Sequence, residues 1–242
     1  FVLNVSDPAA ARVNVLLGTA GGSCARGCTT IDKLHWWGKG ITDGDCIALA
    51  TALLRSSGVR LKNLLLGSNT VGDKCMQALN SASRSGALNK LVSLGLSRNR
   101  ISDGGCVVMA EAWAQHMPAL RDLYISRNDI GDKCAAALAS ALLQGGRHSL
   151  ERLSLGDNHL TESGLLVLLH AARGVMLREI AVNNNSICTM SEALATAIKL
   201  IASESPHLRL ISLKSRASCP NMDASLAWAE LQKQVPQVKI RM

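Results

Sequence analysis

One aliphatic pattern recurs along the whole chain. Ile31, Leu34 and Trp36 are followed by Leu61, Leu64 and Leu66, then by Leu91, Leu94 and Leu96, and by Leu120, Leu123 and Ile125. It continues with Leu150, Leu153 and Leu155, with Leu177, Ile180 and Val182, and with Leu208, Ile211 and Leu213. The starts lie 30, 30, 29, 30, 27 and 31 residues apart. A unit of this size cannot bury its own apolar face, so each must stack on its neighbours. The fourth and sixth positions alternate with polar residues, which predicts a short strand with one face inward. The first position joins them in the core.

Three residues after the sixth position stands an asparagine: Asn69, Asn99, Asn128, Asn158 and Asn185. Its carbonyl accepts and its amide donates twice. A stack of such side chains is expected to serve backbone groups of adjacent turns, which burial would otherwise leave unpaired. Lys39 and Arg216 replace it in the first and last full repeats, as expected of looser terminal units. Two residues further on comes another aliphatic: Val71, Ile101, Ile130, Leu160 and Ile187.

The second half of each repeat then reads as a helix. Thr42-Asp43, Gly72-Asp73, Ser102-Asp103, Gly131-Asp132 and Thr161-Glu162 open it, and the acid is expected to cap the first N–H groups. Gly58, Gly86, Gly145 and Gly174 punctuate the ends. Hydrophobic residues are 48% of the 242, but aromatics only 2%, so the layers must be packed with aliphatics and cysteine. Cys46, Cys75, Cys106 and Cys134 follow the repeat, 29, 31 and 28 apart. Free cysteine behaves as a small hydrophobe. Packed helices about 8–10 Å apart would hold neighbouring cysteines beyond disulfide reach. The expectation is therefore a reduced ladder in a cytosol-like compartment. Cys24 and Cys28 alone have metal-like spacing, and no second pair completes a site.

Together, the seven aliphatic triplets and five asparagines resemble the leucine-rich repeat, L-x-x-L-x-L-x-x-N-x-L. The opening I/L-G/T/S-D-x-C/G followed by an Ala/Leu helix is similar to the ribonuclease-inhibitor-like subfamily. This resemblance implies an α/β solenoid, a horseshoe with parallel strands on the concave face and helices on the convex face. It covers residues 1–242 as one leucine-rich repeat domain, with clear repeats over 31–234 and partial ones at 1–30 and 235–242. The chain starts at Phe1 and reads as a piece of a longer one. The resemblance also implies an intracellular, most simply cytoplasmic setting, including cytoskeletal or ciliary assemblies.

Function is expected on the concave face. Trp37 should point opposite to Trp36, beside Lys33, His35 and Leu65. Tyr124, the only tyrosine, should lie near Arg98 and Arg127, with Arg152 on the next strand. These are the candidate contacts, because binding hot spots favour Trp, Tyr and Arg. Trp113 and Trp228 fall in helices and read as packing residues. On the concave positions nine basic residues meet five acidic ones, so the net charge of +8 forms no one-sided nucleic-acid stripe. No phosphate loop, nucleophile elbow or metal motif appears. The expectation is a non-enzymatic scaffold for a protein partner, acidic by preference. No cofactor, metal, small-molecule substrate or membrane association is expected. RNA or ribonucleoprotein association and GTPase activation are the alternatives.

Overall fold

The computed structural model describes residues 11–13, 32–55, 60–144, 150–188, 191–214 and 225–241. Cys24, Cys28, Gly58, Gly145, Arg216 and Ile31 lie outside the described residues, as does the Trp228 side chain. Eight three-residue strands alternate with helices. They are β1 (Lys33–His35), β2 (Asn63–Leu65), β3 (Ser93–Gly95), β4 (Asp122–Tyr124), β5 (Arg152–Ser154), β6 (Glu179–Ala181), β7 (Leu210–Ser212) and β8 (Lys239–Arg241). Between them run α1 (Asp43–Arg55), α2 (Asp73–Arg84), α3 (Asp103–His116), α4 (Asp132–Gln144), α5 (Glu162–Ala171), α6 (Glu192–Glu204) and α7 (Ser225–Gln234). The strands form one parallel sheet in chain order. Its register aligns the repeats position by position, so Leu34, Leu64, Leu94, Leu123, Leu153, Ile180, Ile211 and Ile240 form one row.

That row, with the first and sixth positions, forms the sheet side of a continuous core. The helices close the other side with Leu, Ala, Cys and Met. Each buried Leu or Ile contributes roughly 1.5–3 kcal/mol, and no repeat retains that without its neighbour. Backbone pairing continues past the short strands: Leu66 N–H donates to Gly95 O at 2.7 Å and Ser68 N–H to Ser97 O at 2.8 Å. The chain then turns at the eighth position, where Ser68, Arg98, Arg127, Asp157 and Asn184 all hold left-handed φ of 55–58°. This turn sends the following asparagine inward. Asn158 makes the fullest set: its Oδ1 accepts from Asn128 N at 3.0 Å and Ile130 N at 3.3 Å, and its Nδ2 donates to Ile125 O and Leu155 O. Asn69, Asn99, Asn128 and Asn185 reach back to the preceding repeat in the same way.

The acidic residues cap helices, but not their own. Asp43 accepts from Gly72 N and Cys75 N, and Asp103 from Gly131 N and Cys134 N, each one repeat on. Asp73 and Asp132 likewise take the backbone N–H and hydroxyl of Ser102 and Thr161. Those hydroxyls, with that of Ser191, cap their own helices. The acidic caps therefore tie each repeat to the next, while the hydroxyls close the helix that they open.

The cysteines depart from the expected ladder. Cys46 is joined to Cys75 and Cys106 to Cys134, with Cα separations of 5.3 and 5.4 Å, and Cys188 is also disulfide-bonded. The expectation of unbridgeable neighbours used the spacing of helix axes. These residues sit in the first helical turn, just after the segment where Thr70 N–H bonds Ile41 O and Asp129 N–H bonds Ile101 O, and there the repeats lie closer than the helix axes. Their register also alternates. Cys46 stands three after Asp43, Cys75 two after Asp73, Cys106 three after Asp103 and Cys134 two after Asp132. Successive helix positions point about 100° apart, so members of a pair face each other. Paired cysteines no longer argue for a reducing compartment.

Candidate functional site: the sheet face

On the sheet face, position and burial divide the candidates into two groups. Lys33, His35 and Trp37 come from β1 and the turn after it, and Leu65 from β2. Trp36 is 2% exposed and Trp37 is 54% exposed, as expected for side chains on opposite faces. Trp37 is nonetheless supported from below. A β-carbon at Gly67 would lie 2.1 Å from Cζ3 of Trp37, so the indole rests on bare backbone. In the same way, a β-carbon at Gly95 would lie 2.8 Å from Cδ2 of half-buried Leu65. Both side chains lean toward the following strand over a glycine. The result is an apolar ledge two strands wide. The floor residues Gly67 and Gly95 were not among the sequence candidates. Their signal was glycine at the seventh and fifth positions, where the other repeats mostly carry a side chain.

Around this ledge the charges are basic. Lys33, Lys62 and Arg98 are exposed, and among the described residues none of them forms an ion pair. The one acid among the corresponding positions of the first three repeats is Asp32.

The second group, on β4 to β6, is internally paired. Glu151 bridges Arg121 at 3.2 Å and Arg178 at 3.0 Å. Arg152 meets Asp122 at 2.6 Å, and Arg127 meets Asp157 at 3.4 Å. Asn184 donates to Asp157, and the Ser126 and Ser154 hydroxyls share a hydrogen bond. Tyr124 joins this network through Arg152, Asp122 and Glu179. Burial, then the Asp122 charge, pushes its phenol above the ordinary value, against the charge and hydrogen bond of Arg152. The hydrogen bond and charge of Asp122 in turn raise the Arg152 guanidinium. Four of the five acids counted on the concave positions lie in this half, which explains why the overall count looked mixed.

Among the described residues no group of three or more His, Cys, Asp or Glu side chains is placed to hold a metal. No described helix is long and apolar enough to cross a membrane. Trp113 is buried in the core.

A leucine-rich repeat family model matches residues 87–110, 116–139 and 147–169. Ribonuclease inhibitor of Sus scrofa is 30% identical over 151 residues, 61% of this chain and 32% of that protein. The chain is built of leucine-rich repeats similar to those of ribonuclease inhibitor. Two further relatives carry the same signal. NACHT, LRR and PYD domains-containing protein 3 of Mus musculus is 26% identical over 66% of this chain and 15% of its own length. NACHT, LRR and PYD domains-containing protein 5 of Mus musculus is 24% identical over 76% of this chain and 18% of its own length. The chain thus spans less than a third of the length of each. The eight-stranded parallel sheet extends the repeat well beyond the three segments matched by the family model. Leucine-rich repeats of this kind are generally protein-binding scaffolds without catalytic activity.

Proposed function

We propose that this leucine-rich repeat protein is a non-enzymatic scaffold that binds a protein partner through its concave sheet face, as a subunit of a larger intracellular assembly. The observation that carries this reading is Trp37, a large apolar side chain that stays 54% exposed while supported on Gly67. Exposed and immobilised tryptophan is what binding hot spots use, because little side-chain entropy is lost on contact. The name of one relative, ribonuclease inhibitor, denotes a protein that acts on another protein, which supports the same class of function. An intracellular setting draws support from the subfamily likeness alone, and trapping the thiols in cells before lysis tests it.

The binding face is tested with a photo-crosslinking residue placed at His35 or Ser126 on the sheet side, and at Gln77 or Lys133 on the helical side. Adducts from the sheet positions alone support the proposal. Adducts from the helical positions alone, or equally from both, overturn it.

A further inference from the structure

The first three repeats differ from the rest of the sheet face, and the difference specifies a ligand. Four features coincide there. The apolar ledge of Trp37 and Leu65 lies over Gly67 and Gly95. Lys33 and Lys62 border it at the start of the strands, and Arg98 at the end. Among the described residues these three cations lack acidic partners, whereas Arg121, Arg127, Arg152 and Arg178 on the neighbouring repeats have them. Among the described residues, Lys214, Lys239 and Arg241 also form no ion pair, but they lie at the far end of the sheet, where β7 and β8 carry no aromatic residue.

From this juxtaposition we infer that the β1–β3 end of the concave face recognises an acidic peptide segment, in which an apolar residue sits on the Trp37–Leu65 ledge between flanking carboxylates. This inference rests on the proposed function above and names the partner's chemistry. Lys33 occupies the third position of its repeat, Lys62 the second and Arg98 the eighth. Five or six positions along the repeat and one or two strands across it separate these cations, roughly 15–20 Å at most. A peptide crossing this face obliquely, from the start of β1 and β2 toward the turn after β3, meets cations at both ends of that path and the apolar ledge between them. Unpaired charges steer an oppositely charged partner and select against a basic one. The paired ladders on β4–β6 present no comparable excess. A single-stranded nucleic acid would meet the same cations, but sequence-tolerant RNA binding uses several stacking aromatics, and among the described residues this end exposes one.

The test is selection of short peptides from a randomised display library on the intact chain. Affinities are then measured by fluorescence anisotropy at low and high salt. The expected winners carry Asp or Glu on both sides of an apolar residue. Their binding should weaken at least tenfold in Lys33→Glu/Lys62→Glu and in Trp37→Ser, and stay unchanged in Lys133→Glu on the helical side. Each variant is first shown to keep its melting temperature. Gly67→Ala, which displaces the indole without removing it, should weaken binding too. Peptides that ignore these changes but are lost on Tyr124→Ala/Arg152→Ala overturn the inference while leaving a concave-face scaffold intact. Peptides indifferent to all sheet-face variants overturn both. An unenriched library, or a polyuridine strand that outcompetes every selected peptide, overturns the acidic-peptide assignment.

Discussion

Replacing Asn158 by alanine should cost more stability than the same change at Asn99, although both occupy the same repeat position. Asn158 is fully buried, and its carbonyl accepts from two backbone donors, Asn128 N–H and Ile130 N–H. Its amide donates to Ile125 O, Leu155 O and Gly156 O. Each of those carbonyls keeps a second donor after truncation: Asn128 Nδ2, Asn185 Nδ2 and Arg127 N respectively. The loss therefore falls on two N–H groups. At about 1–3 kcal/mol for each buried donor left unsatisfied, Asn158→Ala should cost about 2–6 kcal/mol. Asn99 is only partly buried and its carbonyl accepts from Val71 N–H alone. Its three carbonyl partners, Leu66 O, Leu96 O and Ser97 O, are served again by Asn69, Asn128 and Ser68 N–H. Asn99→Ala should cost about 1–2 kcal/mol, less where water reaches the freed donor. Urea unfolding followed by far-ultraviolet circular dichroism measures both. The slope must be compared between variants, because a repeat array that unfolds in parts invalidates a single free energy. Equal costs, or less than about 1 kcal/mol at Asn158, would refute the accounting by orphaned donors.

Three other outcomes are expected. The sole tyrosine makes absorbance at 295 nm an unambiguous probe, and Tyr124 should titrate above its ordinary 10.0. Asp122→Asn should bring it down and Arg152→Ala should raise it further, and an unperturbed wild-type titration would contradict the network. Because the folded value is the higher one, this group's contribution is fully present below pH 10 and lost as pH rises through the raised value. Gly105→Ala should destabilise by about 1–3 kcal/mol, because its β-carbon would stand 2.3 Å from Asp73 Oδ1 and 3.0 Å from Asp73 Cα. Gly104→Ala has no contact closer than 3.3 Å and should be neutral or stabilising by up to about 1 kcal/mol, and thermal melts that fail to separate the two would refute this. Peptide mapping without reduction should link Cys46 to Cys75 and Cys106 to Cys134. A Cys75–Cys106 link would contradict the alternating register.

What the amino-acid pattern made legible depends on the length scale of each interaction. The sheet register, the buried row from Leu34 to Ile240 and the inward asparagines all follow from one period, because each is a local choice repeated. The direction of the caps did not follow. Asp43 looks like a cap for the helix it begins, and only stacking shows that Gly72 and Cys75 of the next repeat are nearer to its carboxylate. The cysteine pairs were written in the sequence but at a finer grain than the period. Their spacings of 29, 31 and 28 run short, long and short against the 30, 30 and 29 between Asp43, Asp73, Asp103 and Asp132. That one-residue alternation turns neighbouring side chains toward or away from each other, so two repeats form the true structural unit here. The same grain governs the sheet face. Counting charges over all repeats gave a mild positive excess, yet the ion pairs gather on β4–β6 and leave Lys33, Lys62 and Arg98 unpaired. Which cation is free depends on which residue stands opposite it in the adjacent strand. A residue count along a single chain does not contain that information, and strand register supplies it.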